Sequence, residues 1–293
     1  MKLDIILPHY KETEAQILKA LTMIDNQIGI DKSDIQISIS HDNGPEGYNL
    51  NIEFLREVIS LPINYFITDK HLGPGYTRQY ALDRTDKDYI MFCDSDDMFA
   101  SPFTLKFFED TLKEQPDLEI ILTGFLEEIK TEEGFVYAQR DDDVSFSCLH
   151  GKMYSRKFLY DNNIKFPNYM IAEDGTFNFT SMCHAKKTYF NDDVVTYIWK
   201  DNSNSITRST TSFPNAEVNM RVFKDSIIGF EELFDEIINN PKSQVNTKLI
   251  KPFIESLYIR AEFLPKDTDQ NKKDYLATKE RLDQCKNKYK KYL

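Results

Sequence analysis

The chain has 293 residues, 41% hydrophobic and 29% charged, enough for one large or two modest folded domains. Its net charge of −12 disfavours a nucleic-acid-binding body, and no run approaches the length of apolar residues that a membrane-spanning helix needs. The charge is uneven: Asn271–Leu293 carries eight Lys/Arg against three Asp/Glu, leaving −17 for the rest. Cys93, Cys148, Cys183 and Cys285 have the spacing of neither a zinc knuckle nor a disulfide framework, which points to a reducing, cytoplasmic setting. The basic tail is a candidate for peripheral contact at the inner face of a membrane, or for a partner chain.

In chain order, Leu3–Leu7 is a short apolar strand ended by Pro8, and Glu14–Ile28 repeats apolar residues at helical spacing. Ile35–Ser40 alternates like a strand and runs into the turn signal His-Asp-Asn-Gly-Pro. Leu50–Ile59 suits a helix, Ile63–Thr68 a strand, Gly73–Arg84 a helix opened by Gly-Pro-Gly, and Tyr89–Cys93 a buried strand. Strand and helix in alternation predict an α/β fold with a mainly parallel sheet, whose ligands sit beyond the carboxyl ends of the strands. The loops Pro8–Glu12, His41–Gly47, Lys70–Gly75 and Asp94–Asp97 should gather at that edge. Further on, Phe103–Leu112 reads as a helix with Ser101 as N-cap and Pro102 at its first position, and Leu118–Leu126 as a strand. Thr131–Val144 reads as a polar loop, with Asp141–Asp143 as a solvated acid run. From about residue 213 the pattern becomes helical, through Val218–Ile237, Leu249–Ala261 and the heptad-spaced Tyr275, Leu282 and Tyr289. The expected division is a domain over 1–212, with a nucleotide-binding half (1–100) and an acceptor half (101–212), followed by a helical region over 213–293.

The most informative run is Tyr-Ile-Met-Phe-Cys-Asp-Ser-Asp-Asp at 89–97, an apolar strand that delivers Asp94, Asp96 and Asp97 together. Carboxylates this close repel unless a cation neutralises them, and Mg²⁺ or Mn²⁺ shared with a diphosphate does so. An EF-hand loop starting at Asp94 fails, because Met98, Phe99 and Leu105 occupy its fifth, glycine and terminal glutamate positions. An aspartate-dependent phosphohydrolase would use an Asp-x-Asp as nucleophile and acid/base partner, but expects Thr or Val at Met98 and an earlier strand. A metal–diphosphate clamp of a nucleotide-sugar transferase and a plain solvated turn complete the alternatives.

Over residues 3–207 the chain resembles the inverting glycosyltransferases of family two, which have the GT-A fold. Ile-Ile-Leu-Pro8-His-Tyr10-Lys-Glu12 resembles that family's first strand ending in Pro-Thr-Tyr-Asn. The resemblance implies that Pro8 and Tyr10 line the nucleotide site, with Tyr10 stacked on the base and Glu12 a further candidate on the same loop. Asp42-Asn-Gly-Pro-Glu46 resembles the Asp-Asn-Gly-Ser-Thr-Asp loop and implies that Asp42 accepts a hydrogen bond from the base. His71-Leu-Gly73-Pro-Gly-Tyr-Thr-Arg78-Gln79 resembles Asn-x-Gly-x-x-x-Ala-Arg-Asn, with His71 and Gln79 in place of two asparagines. Arg78 would meet the nucleotide or a neighbouring acid.

Asp94-Ser-Asp96-Asp97 resembles the family's acidic motif. It implies Asp94 near ribose and metal, Asp96 as principal metal ligand and Asp97 as an additional candidate. Cys148–Leu159 resembles the segment before the catalytic loop, with His150 a candidate for the sugar or the diphosphate. Glu173-Asp174 resembles the Glu-Asp motif that opens a helix, and implies Asp174 as catalytic base with Glu173 beside it. Trp199–Arg208 resembles the closing segment; Asp201 stands as a candidate for a missing metal-binding His, and Ser205 and Arg208 as covers for the diphosphate.

The implied activity is a Mn²⁺- or Mg²⁺-dependent, inverting transfer of a sugar from a UDP-linked donor to an acceptor hydroxyl, in cell-surface or polysaccharide glycan synthesis. The phosphohydrolase and a non-catalytic GT-A-like binding module are its alternatives. A glycan, lipid-linked or protein acceptor and self-association through the C-terminal helices are the remaining partner expectations.

Overall fold

A computed structural model of the chain describes residues 1–43, 49–139, 148–168, 173–202, 224, 227–229, 231–232, 234–235, 266 and 268–290. The chain divides into two compact units, one of residues 1–170 with 185–201 and one of 171–184 with 202–293. The expected division near residue 212 falls in a stretch outside the described residues.

The first unit is built on a nine-stranded sheet. Strands β1 (Leu3–His9), β2 (Ile35–His41), β3 (Ile63–Ile67) and β4 (Tyr89–Phe92) are parallel neighbours in the spatial order β3-β2-β1-β4. Helices α1 (Glu14–Asp25), α2 (Ile52–Val58) and α3 (Pro74–Leu82) link them. Leu3, Ile5, Ile6 and Leu7 are all buried, so β1 is covered on both faces, as a central parallel strand must be. Thr13 caps α1 in a reciprocal capping box with Gln16, which fixes the turn where β1 hands over to the helix. These elements lie where the apolar patterning put them.

Beyond β4 the sheet becomes mixed. Strand β8 (Lys152–Ser155) is antiparallel both to β4 and to β6 (Ile120–Thr131), and β9 (Thr188–Trp199) runs parallel to β6. A two-residue strand, β5 (Met98–Phe99), pairs antiparallel with the end of β9.

Two local expectations are corrected. The polar stretch from Thr131 is not a loop throughout: β6 runs to Thr131 and turns into β7 (Gly134–Gln139), an antiparallel hairpin that leaves Phe135, Val136 and Tyr137 exposed. With both faces wet, β7 has no apolar alternation to betray it. Asp141–Asp143 lie outside the described residues. Helix α4 is Thr104–Glu114 with Phe103 at its N-cap; Ser101 Oγ instead accepts from the Phe103 N–H (3.1 Å) in the turn before it. Helix α5 (Arg156–Asp161) follows β8, capped by Ser155.

The second unit holds α6 (Glu173–His184) and α7 (Asp269–Lys288). On α7, Leu282, Cys285 and the following Tyr289 are buried, and Tyr289 packs on Phe234 (4.4 Å) with its hydroxyl donating to Asp235 Oδ1 (2.8 Å). Tyr289, the last residue of the heptad-spaced face, thus packs on residues of the same unit. Leu249–Ala261 lies outside the described residues. Among the described residues no helix is long and apolar enough to cross a membrane.

Candidate functional site

The loops after β1, β2 and β3 and the acidic turn after β4 meet at one edge of the first unit. Asp42, at the end of β2, donates its N–H to His9 O (2.8 Å), which ties the β2 loop to the β1 loop. Its carboxylate is buried and accepts from the N–H of Leu72 (2.9 Å), the N–H of Gly73 (2.8 Å) and His71 Nδ1 (2.8 Å). Gly73 adopts φ +94°, a conformation open to glycine at low cost, and this turns its N–H toward Asp42 as Pro74 starts α3. The His71 ring stacks on Tyr10 at 4.2 Å and 8°. Tyr10 N donates to Glu12 Oε2 (2.8 Å), and Glu12 O pairs with His9 Nε2 (2.9 Å). Pro8 stands opposite Ser40 in the β1–β2 register, at the same edge. Burial keeps the neighbouring imidazoles of His9 and His41 below the usual histidine range.

On α3, Arg78 shares the buried face with Ala81 and Leu82, so its guanidinium is directed at the sheet rather than at water. Arg78 Nη2 donates to Asp94 Oδ1 at 2.5 Å. Burial pushes the Asp94 carboxyl up, but Arg78 and His150 outweigh it and hold Asp94 below its ordinary range. Gln79 Oε1 accepts from Phe166 N (2.9 Å), and Phe166 packs edge-on against Phe92 (5.1 Å), which anchors the 166 segment beside the acidic strand.

Asp97 is buried. Its Oδ2 accepts from the Tyr197 hydroxyl (2.7 Å) and its Oδ1 from Lys200 N (2.8 Å). Burial first, then the charges of Asp94 and Asp96, push its carboxyl well above the usual carboxylate range. Tyr197 also accepts from Asp94 N (3.1 Å), so one hydroxyl braces both ends of the turn. His150 Nδ1 lies 4.0 Å from Asp97 Oδ2, and its ring stacks on Tyr197 (4.7 Å, 18°) between Trp199 (5.6 Å) and Phe125 (5.2 Å). Gly151, at φ +64°, makes this placement feasible: a Cβ there would sit 2.8 Å from Thr123 Oγ1, and Gly151 O accepts from Thr123 N (2.9 Å).

Ligand atoms of Asp94, Asp97 and His150 lie within 4.8 Å of one another. That approaches the roughly 4 Å across the inner shell of a small divalent cation. Two carboxylates and an imidazole suit such an ion. Asp96, the expected principal ligand, is half-buried and is not part of this triad. Asp201 uses its N–H on Glu128 Oε1 (3.3 Å). Glu46, Ser205 and Arg208 lie outside the described residues. In the second unit, Glu173 and Asp174 open α6, with Glu173 buried and Asp174 Oδ1 accepting from Gly175 N (2.7 Å). Tyr197 and Lys200 were not among the sequence candidates; the antiparallel pairing Phe99↔Tyr197 brings them in across about 100 residues.

A mixed sheet of this order, with an acidic turn at the end of β4, has the GT-A architecture. Residues 4–123 match the family model described as Glycosyl transferase family 2. Among curated proteins the chain is similar to a poly(ribitol-phosphate) beta-glucosyltransferase of Bacillus spizizenii, 24% identical over 201 residues (64% of this chain, 30% of the relative). It is also similar to the poly(ribitol-phosphate) beta-N-acetylglucosaminyltransferase TarS of Staphylococcus aureus, 23% identical over 195 residues (64% of this chain, 33% of the relative). The match thus spans about a third of the length of these relatives. Residues 1–349 of S. aureus TarS, solved as a crystal structure, share the fold with a TM-score of 0.73 at 17% identity, covering 97% of this chain and 81% of that one. A crystal structure of the same fragment with UDP-GlcNAc gives 0.72 at 17% identity over the same shares. A mannosyltransferase of Pyrobaculum calidifontis, in complex with GDP-Man and Mn²⁺, gives 0.58 at 13% identity over 99% of this chain and 88% of that one.

Proposed function

We propose that the chain transfers a sugar from a UDP-linked donor, with inversion, to a hydroxyl of a polyol-phosphate chain in the cytoplasm. The observation that carries this reading is the convergence of Tyr10, Asp42, Arg78 and the Asp94–Asp97 turn at one strand edge, with His150 completing a three-ligand cluster. The acceptor class is suggested by the poly(ribitol-phosphate) of the curated relatives' names.

Tyr10, His71 and Asp42 form the end that takes the base, an aromatic stack braced by a buried carboxylate. Asp94, Asp97 and His150 would hold a divalent cation, and the imidazole favours Mn²⁺ over Mg²⁺. When bound, such a cation supplies Lewis-acid charge for the leaving diphosphate. Arg78 keeps Asp94 ionised for that purpose. Asp174 takes the proton from the acceptor hydroxyl as its oxygen attacks the anomeric carbon; the bond to the diphosphate breaks with its electron pair going to the diphosphate oxygen.

The test is incubation with UDP-glucose and UDP-GlcNAc and Mn²⁺, with and without poly(ribitol phosphate), reading UDP and the glycosylated polymer. Polymer-stimulated release of UDP is the expected result. Release of inorganic phosphate from a generic phosphoester, with no UDP released from either donor, would overturn the reading in favour of a phosphohydrolase.

A further inference from the structure

We infer that Glu128, on the β6–β7 hairpin, is a positioning residue for the cation site, acting on Asp97 through Lys200. The inference rests on the metal reading of Asp94, Asp97 and His150 given above.

Lys200 is attached at both ends. Its backbone N–H donates to Asp97 Oδ1 (2.8 Å), and its ammonium is ion-paired with Glu128 Oε2. Glu128 is buried, and the same oxygen accepts from the Tyr137 hydroxyl (2.6 Å) while Oε1 accepts from Asp201 N (3.3 Å). Burial pushes the Glu128 carboxyl up, but Lys200 and Tyr137 outweigh it and leave it below its ordinary range, so it is charged when the site operates. The geometry has a reason in the sheet. Glu128 faces Tyr137 in the β6–β7 register, and Glu127 faces Trp199 in the β6–β9 register, so Glu128 meets the chain as it leaves β9.

A long, flexible lysine next to a buried acidic turn would be expected to turn its ammonium onto the acids. Here Glu128 claims the ammonium, and only the Lys200 amide reaches Asp97. Asp97 therefore receives two neutral donors, from Tyr197 and Lys200, while the Lys200 ammonium is held on Glu128. Hydrogen-bond partners that orient a metal-binding carboxylate typically change metal affinity about 10–100-fold when removed. Glu128 acts one residue further out, so the lower end of that range applies.

The experiment titrates the full chain with Mn²⁺, following free Mn²⁺ by electron paramagnetic resonance, with UDP affinity measured in EDTA as a control. E128Q and K200M should each weaken Mn²⁺ binding about tenfold and leave metal-free UDP binding within twofold. The double variant should be no worse than either single one, since both break one link. Tyr137 is half exposed, so Y137F is a safe variant for folding and should weaken Mn²⁺ binding about two- to threefold. E128D should recover part of the E128Q loss. Mn²⁺ affinity unchanged in E128Q, K200M and Y137F beside a wild type that binds it would overturn this inference alone. A wild type that takes up no Mn²⁺ would overturn the metal reading and this inference together.

Discussion

Replacing Asp97 by Asn should stabilise the metal-free protein and remove its response to Mn²⁺. Asn is nearly isosteric, its carbonyl can still accept from Lys200 N, and the Tyr197 hydroxyl can turn to accept where it now donates. What is removed is a buried charge whose ligand atom lies within 4.8 Å of one on Asp94. Two such charges at an effective dielectric of about 20 repel by about 3 kcal/mol. Loss of two charge-assisted hydrogen bonds offsets about half of that, so a net gain of about 1–2 kcal/mol is expected at pH 7 in EDTA. The pH dependence has a definite sign. The folded carboxyl of Asp97 is raised above its ordinary 3.8, so its contribution is present below that value and lost as pH rises through the folded pKa. Wild-type stability in EDTA should therefore decline across that window above 3.8, and D97N should lack that part of the decline. The assay is urea denaturation at a series of pH values, with EDTA or Mn²⁺. A ligand at 100 times its Kd adds about 2.7 kcal/mol, which wild type should show and D97N should not. The reasoning is refuted if D97N is less stable than wild type in EDTA, or if it keeps the full Mn²⁺ stabilisation.

Three further outcomes are expected. D174N should keep UDP affinity within about twofold and lose about 10²–10⁴ in transfer rate, as for removal of a general base; unchanged turnover would take Asp174 out of that role. R78M removes the buried partner of Asp94 and should cost about 3 kcal/mol by urea denaturation, the lower end for a buried pair because Asp94 is a third exposed; a cost under 1 kcal/mol would contradict the pairing. G151A must place a Cβ against Thr123 at φ +64°, and should lose about 1–3 kcal/mol in thermal denaturation along with Mn²⁺ affinity, since His150 precedes it.

The parallel half of the sheet was legible because its strands are short apolar runs separated by helices of clear period, and each ends in a polar loop. Asp42 and Asp94 lie in loops placed by that logic, Arg78 was singled out only by the family resemblance, and all three meet partners at the strand edge. The mixed half was harder to read. Strand β7 is wet on both faces, and β5 has only two residues, so neither has an apolar pattern. Ser101 followed by Pro102 resembles a helix start, yet the helix begins at Thr104 because the intervening turn uses Ser101 for a local bond. The roles of Tyr197, Lys200 and Glu128 depend on the pairing of β9 with β5 and β6, and residues about 70 to 100 positions apart leave no local signal of such pairing. Likewise, proximity in sequence treats Asp94, Asp96 and Asp97 alike. Folding separates them, pairing Asp94 with Arg78 and burying Asp97 beside Tyr197.

The Asp94–Asp97–His150 cluster and the Tyr10–Asp42 edge are proposed to bind a nucleoside diphosphate together with a divalent cation. Calorimetric titration of UDP into the full chain, in Mn²⁺ and in EDTA, tests it most directly. Mn²⁺ should strengthen UDP binding at least tenfold in wild type and not in D97N. Failure of UDP to bind in either condition, or equal binding with and without Mn²⁺, would contradict it.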